Sequence, residues 1–195
     1  AKQFLKFSER LAVKFSSVVV ADNEAIAKHV QRNYNAVCKT IAYGGDHACV
    51  DHKEKLMMDI PFKVEGYAFA LCRIEPENNV HLILGAFANA NMNLIFVGNW
   101  QASDYGCELI DRYSSLVNIE LLDPVYDLDV LAMYRRNCRI YIHGHSAGGT
   151  NPSLVEMMHF EKPIIAFDCV YNRATMEDKG QYFSSSSSLS ESIKT

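Results

Sequence analysis

The residues best suited to do chemistry lie in one stretch, His143–Glu156, which reads His-Gly-His-Ser-Ala-Gly-Gly-Thr-Asn-Pro-Ser-Leu-Val-Glu. Gly144, Gly148 and Gly149 remove side chains where a backbone must turn tightly or approach a ligand. Thr150, Asn151 and Ser153 follow where a helix begins. Pro152 suits the first helical turn, where its missing N–H is no loss. The first amides of a helix are unpaired and carry the positive end of its dipole, so this junction is a candidate seat for a diphosphate. An ordinary strand–turn–helix junction with a Ser or Asn cap would use the same residues. The spacing fits neither G-x-G-x-x-G nor G-x-x-x-x-G-K-[ST], which disfavours a standard dinucleotide or P-loop site.

Glu156 sits about one turn into that helix. Its carboxylate could accept hydrogen bonds from ribose hydroxyls, or simply compensate the helix dipole. Arg73 follows a buried apolar run, where a guanidinium can clamp a diphosphate bidentately or pair with Glu75 or Glu77. His143 and His145 flank Gly144 and are expected to point to opposite faces. At most one then meets the ligand loop, where it would hydrogen-bond a phosphate or a sugar hydroxyl. A metal ion would need a third ligand, and none is evident nearby, so no metal is expected. Neither a Ser/His/Asp set nor a carboxylate pair stands out for hydrolysis. Trp100, the single tryptophan, follows Val97-Gly-Asn99 and is expected to shield a loop rather than to meet a sugar.

Positioning these groups falls to a regular alternation of elements. Phe4, Phe7, Leu11 and Phe15 recur at helical spacing, so residues 2–15 form an amphipathic helix. A short strand at 17–21 precedes a helix that Asp22 or Asn23 can cap and that carries Ile26 and Val30 on one face. A further strand covers 39–43, ended by Gly44 and Gly45. A polar, irregular stretch with Pro61 then separates this segment from a second series. That series places strands at 67–72, 94–97, 119–122, 139–142 and 163–167. Helices are expected at 77–90, 104–115, 127–136 and from about 152. Ser184–Ser188 reads as a solvated low-complexity loop. The alternation predicts an α/β fold, a Rossmann-like parallel sheet with helices on both faces. Residues 1–46 read as the end of another α/β domain, 47–61 as a linker, and 62–195 as the Rossmann-like domain. Ligands of such sheets bind outside the carboxyl ends of the strands, here the loops after 72, 98, 122 and 142.

Composition sets the outer bounds. The chain has 195 residues, of which 49% are hydrophobic and 22% charged, enough for one substantial core. A formal net charge of -4 without a long basic run argues against nucleic acid as the main partner. Six cysteines without a C-x-x-C pair read as small buried hydrophobes in a reducing compartment. No apolar run approaches the length of a membrane span. Both ends read as cuts within a longer protein.

In their order along the chain, several of these segments resemble family-four glycosyltransferases of the GT-B fold. Val18–Asn23 looks like the strand-to-helix junction near the end of that family's acceptor domain. Ile41–Asp46 looks like the I-P-N-G-V-D segment before the interdomain linker. Cys72–Asn78 is similar to the G-R-L-x-P-E-K element, Ile95–Gly98 to the next strand and glycine, and Gly148–Glu156 to the E-x7-E motif. Arg73–Asn79 and Tyr141–Glu156 look more narrowly like a bacterial subgroup that includes rhamnosyltransferases of capsule and exopolysaccharide synthesis.

What the resemblance implies is metal-independent, retaining transfer of a sugar from a nucleotide diphosphate to an acceptor hydroxyl, without a cofactor. Arg73 and Glu156 would carry catalysis. The donor would meet Asn78, Asn79, Gly98, Asn99, Tyr126, His143, His145, Gly148, Gly149, Thr150, Asn151 and Ser153, with Tyr126 a stacking partner for the base. The implied donor is dTDP-rhamnose or a UDP-sugar, and the acceptor a glycan or lipid-linked chain. The implied location is the cytoplasm, with peripheral association at the inner face of the cell membrane. Two departures stand out. Gly148 replaces the family's first motif Glu, which contacts donor-sugar hydroxyls, and Asn78 replaces the Lys that partners the motif Arg. His145, Asn78 or Asn79 are candidates to substitute. Most of the N-terminal acceptor domain is missing, so the fragment is expected to bind nucleotide but not to turn over. A GT-B-type nucleotide-sugar epimerase and a non-enzymatic nucleotide-binding module are the alternatives.

Overall fold

The computed structural model describes residues 2–49, 60–62 and 65–194. Helical spacing of Phe4, Phe7, Leu11 and Phe15 produces α1 (Lys2–Phe15). Its apolar stripe is nevertheless open, with Phe4 70% and Phe15 76% exposed. β1 (Val19–Ala21) and β2 (Cys38–Thr40) pair in parallel as a separate two-stranded sheet. Between them lies α2 (Glu24–Tyr34), capped by Asn23, whose side chain accepts the Ile26 amide. It ends where Asn35 turns left-handed, at φ 52°. The polar stretch expected as a linker lies largely outside the described residues. Its start, Asp46–Ala48, is a single 3-10 turn.

The second series forms one parallel sheet of β3 (Tyr67–Leu71), β4 (Asn93–Val97), β5 (Ile119–Leu122), β6 (Ile140–His143), β7 (Ile164–Phe167) and β8 (Gln181–Phe183). Its spatial order is β5-β4-β3-β6-β7-β8. Six strands wound outward from the β3/β6 pair are the doubly wound Rossmann arrangement, with its switch point between those two strands. The helices are α3 (Val80–Phe87), α4 (Asp104–Tyr113), α5 (Leu128–Asn137), α6 (Pro152–Met158), α7 (Val170–Thr175) and α8 (Ser186–Ser192). Alternation along β3 feeds two cores. Ala68 and Ala70 join Val80, Leu84, Leu109 and Leu189 on one face. Tyr67 and Phe69 join Leu131, Leu154 and Met157 on the other.

Three expectations are corrected. The helix expected from residue 77 begins only at Val80, after a 3-10 turn, because Asn79 takes a left-handed φ of 50°. The serine run is not a solvated loop but the start of α8. Ser185 accepts the Ser188 amide and the Ser188 hydroxyl returns to the Ser185 amide, a capping box made of serines alone. The Ser186 and Ser190 hydroxyls then donate to the Leu82 and Ala86 carbonyls of α3, which ties α8 to the core. The cysteines also differ among themselves, since Cys138 is buried while Cys107 is exposed.

Candidate functional site

Four loops at the carboxyl ends of β3, β4, β5 and β6 enclose a cavity of about 330 Å³ beside the switch point. A parallel sheet leaves its strand-end loops free of pairing there, which is why ligands of this fold gather at that edge. The first loop supplies Arg73 and Asn78, the second Gly98 and Asn99, the third Tyr126, and the fourth His145, Asn151 and Ser153. A larger open groove of about 930 Å³ runs between α1 and α2 past Lys6, Arg10 and Lys14, away from those strand ends.

The floor of the cavity is a fixed polar network. The Asn78 amide donates to the Arg73 carbonyl at 2.7 Å, so its oxygen faces His145 Nδ1, also at 2.7 Å. Nδ1 must therefore carry the proton, and Nε2 of the neutral ring is the acceptor. Burial, followed by the charge of Arg73, lowers the His145 pKa, which keeps the ring neutral near pH 7. Such a ring suits a hydroxyl donor better than a phosphate oxygen. Asn79 does not line the cavity. It donates to the Gly144 carbonyl at 2.8 Å and so ties the Arg73 loop to the end of β6. Gly144 has no room for a side chain, since a Cβ there would collide with the Asn78 carbonyl.

Arg73 is the permanent cation of the lining, and its largely solvent-open guanidinium lies 3.4 Å from Glu75. So exposed a pair holds it weakly and leaves it available to a ligand. Beside it, burial pushes the Cys72 thiol up to about 12, so it stays protonated. Tyr126 stands at the rim, 86% exposed. Trp100 is instead buried, its indole N–H donating to the Leu122 carbonyl at 3.0 Å and its ring edge-on to Phe96. It shields the loop after β4.

His143 and His145 do not diverge. Residues two apart in a strand share a face, and the two rings lie 6.1 Å apart. Depth separates them. His143 is fully buried, its pKa brought down to about 3 by burial and then by His145, and among the described residues its Nε2 has no partner.

The amides expected to seat a diphosphate at the start of α6 are largely taken. Asn151 caps that helix with its side chain on the Ser153 amide, and its carbonyl accepts from Leu154 and Val155. Pro152 has no N–H. The Thr150 amide donates to the Asp22 carboxylate at 2.8 Å, across 128 residues of sequence. Gly148 takes a left-handed φ of 92°, and a Cβ at Gly149 would collide with that same carboxylate.

Glu156, expected at the site, does not line the cavity. One carboxylate oxygen is bonded to Arg135 Nη2, and the other lies 3.2 Å from His47 Nε2. Arg135 is a group the sequence reading missed. It is 1% exposed and sits over the Phe160 ring, with its Nη1 lacking a partner among the described residues. Tyr-Arg-Arg-Asn near the end of a helix gives no local sign that the first arginine turns inward. No three His, Cys, Asp or Glu side chains gather as a metal site among the described residues, and no described helix is long and apolar enough to cross a membrane.

Comparison with known proteins fits this geometry. Residues 1–46 match a Domain of unknown function (DUF1972), and residues 55–194 match Glycosyl transferases group 1. No curated protein sequence matches the chain. Among solved structures, Anabaena Alr3699/HepE in complex with UDP-glucose superimposes with a TM-score of 0.75 at 19% identity, over the whole of this chain and 57% of its own. Sucrose-phosphate synthase from Thermosynechococcus elongatus gives 0.72 at 15% identity, over 95% of this chain and 50% of its own. TarM gives 0.71 at 13% identity, over 97% of this chain and 38% of its own. Such identities show a shared fold, the GT-B arrangement, and the chain spans little more than half the length of the first of these proteins. By the family match across most of its length, the chain belongs to the glycosyl transferases group 1.

Proposed function

We propose that the chain holds the nucleotide diphosphate of a nucleotide sugar in the cavity beside the β3/β6 switch point. As part of a longer enzyme it would transfer the sugar, with retention, to an acceptor hydroxyl in bacterial surface polysaccharide synthesis. The observation that carries this reading is the convergence of Arg73, Asn78, His145, Asn151, Ser153 and Tyr126 from separate loops onto one cavity. Arg73 would stabilise charge on the leaving diphosphate without a metal ion, in a site that sets its donors in advance. Tyr126 would stack on the base. Glu156, held by Arg135 one turn along α6 from cavity-lining Ser153, would meet the ribose once His47 gives way. The complex of HepE with UDP-glucose supports a nucleotide sugar as the ligand class. The resemblance of Arg73–Asn79 and Tyr141–Glu156 to a rhamnosyltransferase subgroup favours dTDP-rhamnose as the donor, with a glycan or lipid-linked acceptor. The fragment itself would bind nucleotide without turnover, because the greater part of the acceptor side belongs to the remainder of such enzymes.

Calorimetry with UDP, dTDP and GDP tests the site. At least one is expected to bind, and Arg73→Ala should weaken it tenfold or more, as expected for loss of a charge-assisted contact. A folded sample that binds none of them would refute the proposal. Donor hydrolysis by the full-length enzyme, absent in the fragment, tests the transfer.

A further inference from the structure

Asp22 follows Ala21 at the carboxyl end of β1, in the small sheet. The glycine loop follows the carboxyl end of β6, in the large one. These two strand ends meet. The Thr150 amide donates to Asp22 Oδ2 at 2.8 Å, and the Asn23 side-chain amide donates to the Thr150 hydroxyl at 2.9 Å. The Thr150 hydroxyl in turn lies 3.4 Å from the Asp22 carbonyl. Gly149 is bare because the Asp22 carboxylate fills the place of its side chain. One hydrogen bond and the close contact with Gly149 thus hold the half-buried carboxylate against the loop, while two further hydrogen bonds through the Thr150 hydroxyl tie Asp22 and Asn23 to it. Among the described residues the carboxylate has no cationic partner, and its Oδ1 accepts no hydrogen bond.

The loop itself supplies no acid between His143 and Val155. Gly148 opens space beside cavity-lining His145, whose Nε2 lies 3.7 Å from the place of a Gly148 Cβ. Asp22 itself does not line the cavity; it is linked to it through the loop, where His145, a neutral imidazole acceptor in the lining, stands beside bare Gly148 and the next residue, Gly149, lies against the Asp22 carboxylate. Acceptors of this kind take hydroxyl donors, whereas a phosphate would be repelled by the carboxylate. We propose that Asp22, reaching over from the N-terminal segment, binds the sugar hydroxyls of the donor and so helps to select the sugar. This rests on the cavity being the nucleotide site.

The test is calorimetry on the whole chain and on Asp22→Asn, whose side-chain oxygen still accepts the Thr150 amide. Asp22→Ser, which also keeps an acceptor, guards against misfolding of the first variant. Each protein is titrated with UDP and UDP-glucose, and with dTDP and dTDP-rhamnose. Both variants should bind the preferred sugar nucleotide about tenfold more weakly than wild type, while the bare diphosphate stays within about twofold. Equal weakening of both ligands would show that Asp22 only braces the loop, and would overturn the inference. Tighter binding of the bare diphosphate would overturn it too, since Asp22 would then be competing for the Thr150 amide. If folded wild type binds none of the four, the nucleotide reading fails and this inference falls with it. A wild type that binds nucleotide, with variants that leave the sugar nucleotide unaffected, refutes the role of Asp22 alone.

Discussion

Removing Arg135 separates two consequences of burying a charge. Its guanidinium is 1% exposed, while the Glu156 side chain that it holds is 18% exposed. Arg135→Met keeps most of the apolar stem over Phe160 but strands a largely buried carboxylate, with exposed His47 left as its one ion-pair partner among the described residues. Breaking one side of a buried pair costs about 3–5 kcal/mol. The residual exposure of Glu156 places this case at the low end, about 3 kcal/mol. Glu156→Gln strands the arginine instead, but its amide oxygen still accepts one hydrogen bond, so the loss should be about 2 kcal/mol. Arg135→Met with Glu156→Gln removes both charges. The wild-type arginine already carries an Nη1 without a partner among the described residues, so little net stabilisation is lost, and the double variant should lie within about 1 kcal/mol of wild type. Urea unfolding followed by Trp100 fluorescence reads this, because the single tryptophan is buried in the same sheet's core. In a thermal scan the Arg135→Met loss corresponds to about 6–12 °C. Single-variant losses that simply add in the double variant would refute the reasoning, since an uncoupled pair cannot be the reason Arg135 is buried.

Other perturbations test other levels of the structure. Burial holds the pKa of His143 at about 3 against the ordinary 6.5, so between those values the unfolded chain binds a proton that the folded chain does not. Stability should therefore fall as pH drops below 6.5 towards 3. His143→Leu should shrink the loss between pH 6.5 and pH 5 by about 1.5 kcal/mol, measured by urea unfolding at the two pH values. Gly144→Ala drives a Cβ into the Asn78 carbonyl, and is expected to lower stability by more than about 2 kcal/mol and to abolish nucleotide binding in calorimetry. Ser185→Ala removes the cap of α8 and should cost about 1 kcal/mol in thermal unfolding without altering nucleotide affinity. Tyr126→Ala should weaken a nucleoside diphosphate by about tenfold while leaving inorganic pyrophosphate unchanged, and equal loss of both would deny it a stacking role.

The parts of the fold that could be read in advance are those set by local pattern. The run Ile119–Leu122 is apolar but for Glu120, short and bounded by turn-formers, and it becomes β5 over those same residues. Alternation of such runs with amphipathic stretches was enough to predict a parallel sheet, and the parallel sheet was enough to predict which loops share one edge. The four loops that carry the cavity-lining residues follow from that topology, whereas Asn99 and Tyr126 were singled out within them by the family resemblance. What stayed hidden was pairing between polar groups distant in sequence. Gly149 invited the reading that a ligand approaches the backbone, yet the group that needs its space is the carboxylate of Asp22, 127 positions earlier by numbering. Glu156 looked like a free acceptor because nothing nearby marks Arg135 or His47 as its partners. The serine run failed for a related reason. Hydroxyls that would compete with a helix in isolation here bond to the carbonyls of α3, and only the packed neighbour makes that choice favourable. The same logic bears on function. With the amides at the start of α6 largely taken, the charges beside this loop of glycines and small polar residues come from elsewhere, Arg73 from the end of β3 and Asp22 from the end of β1.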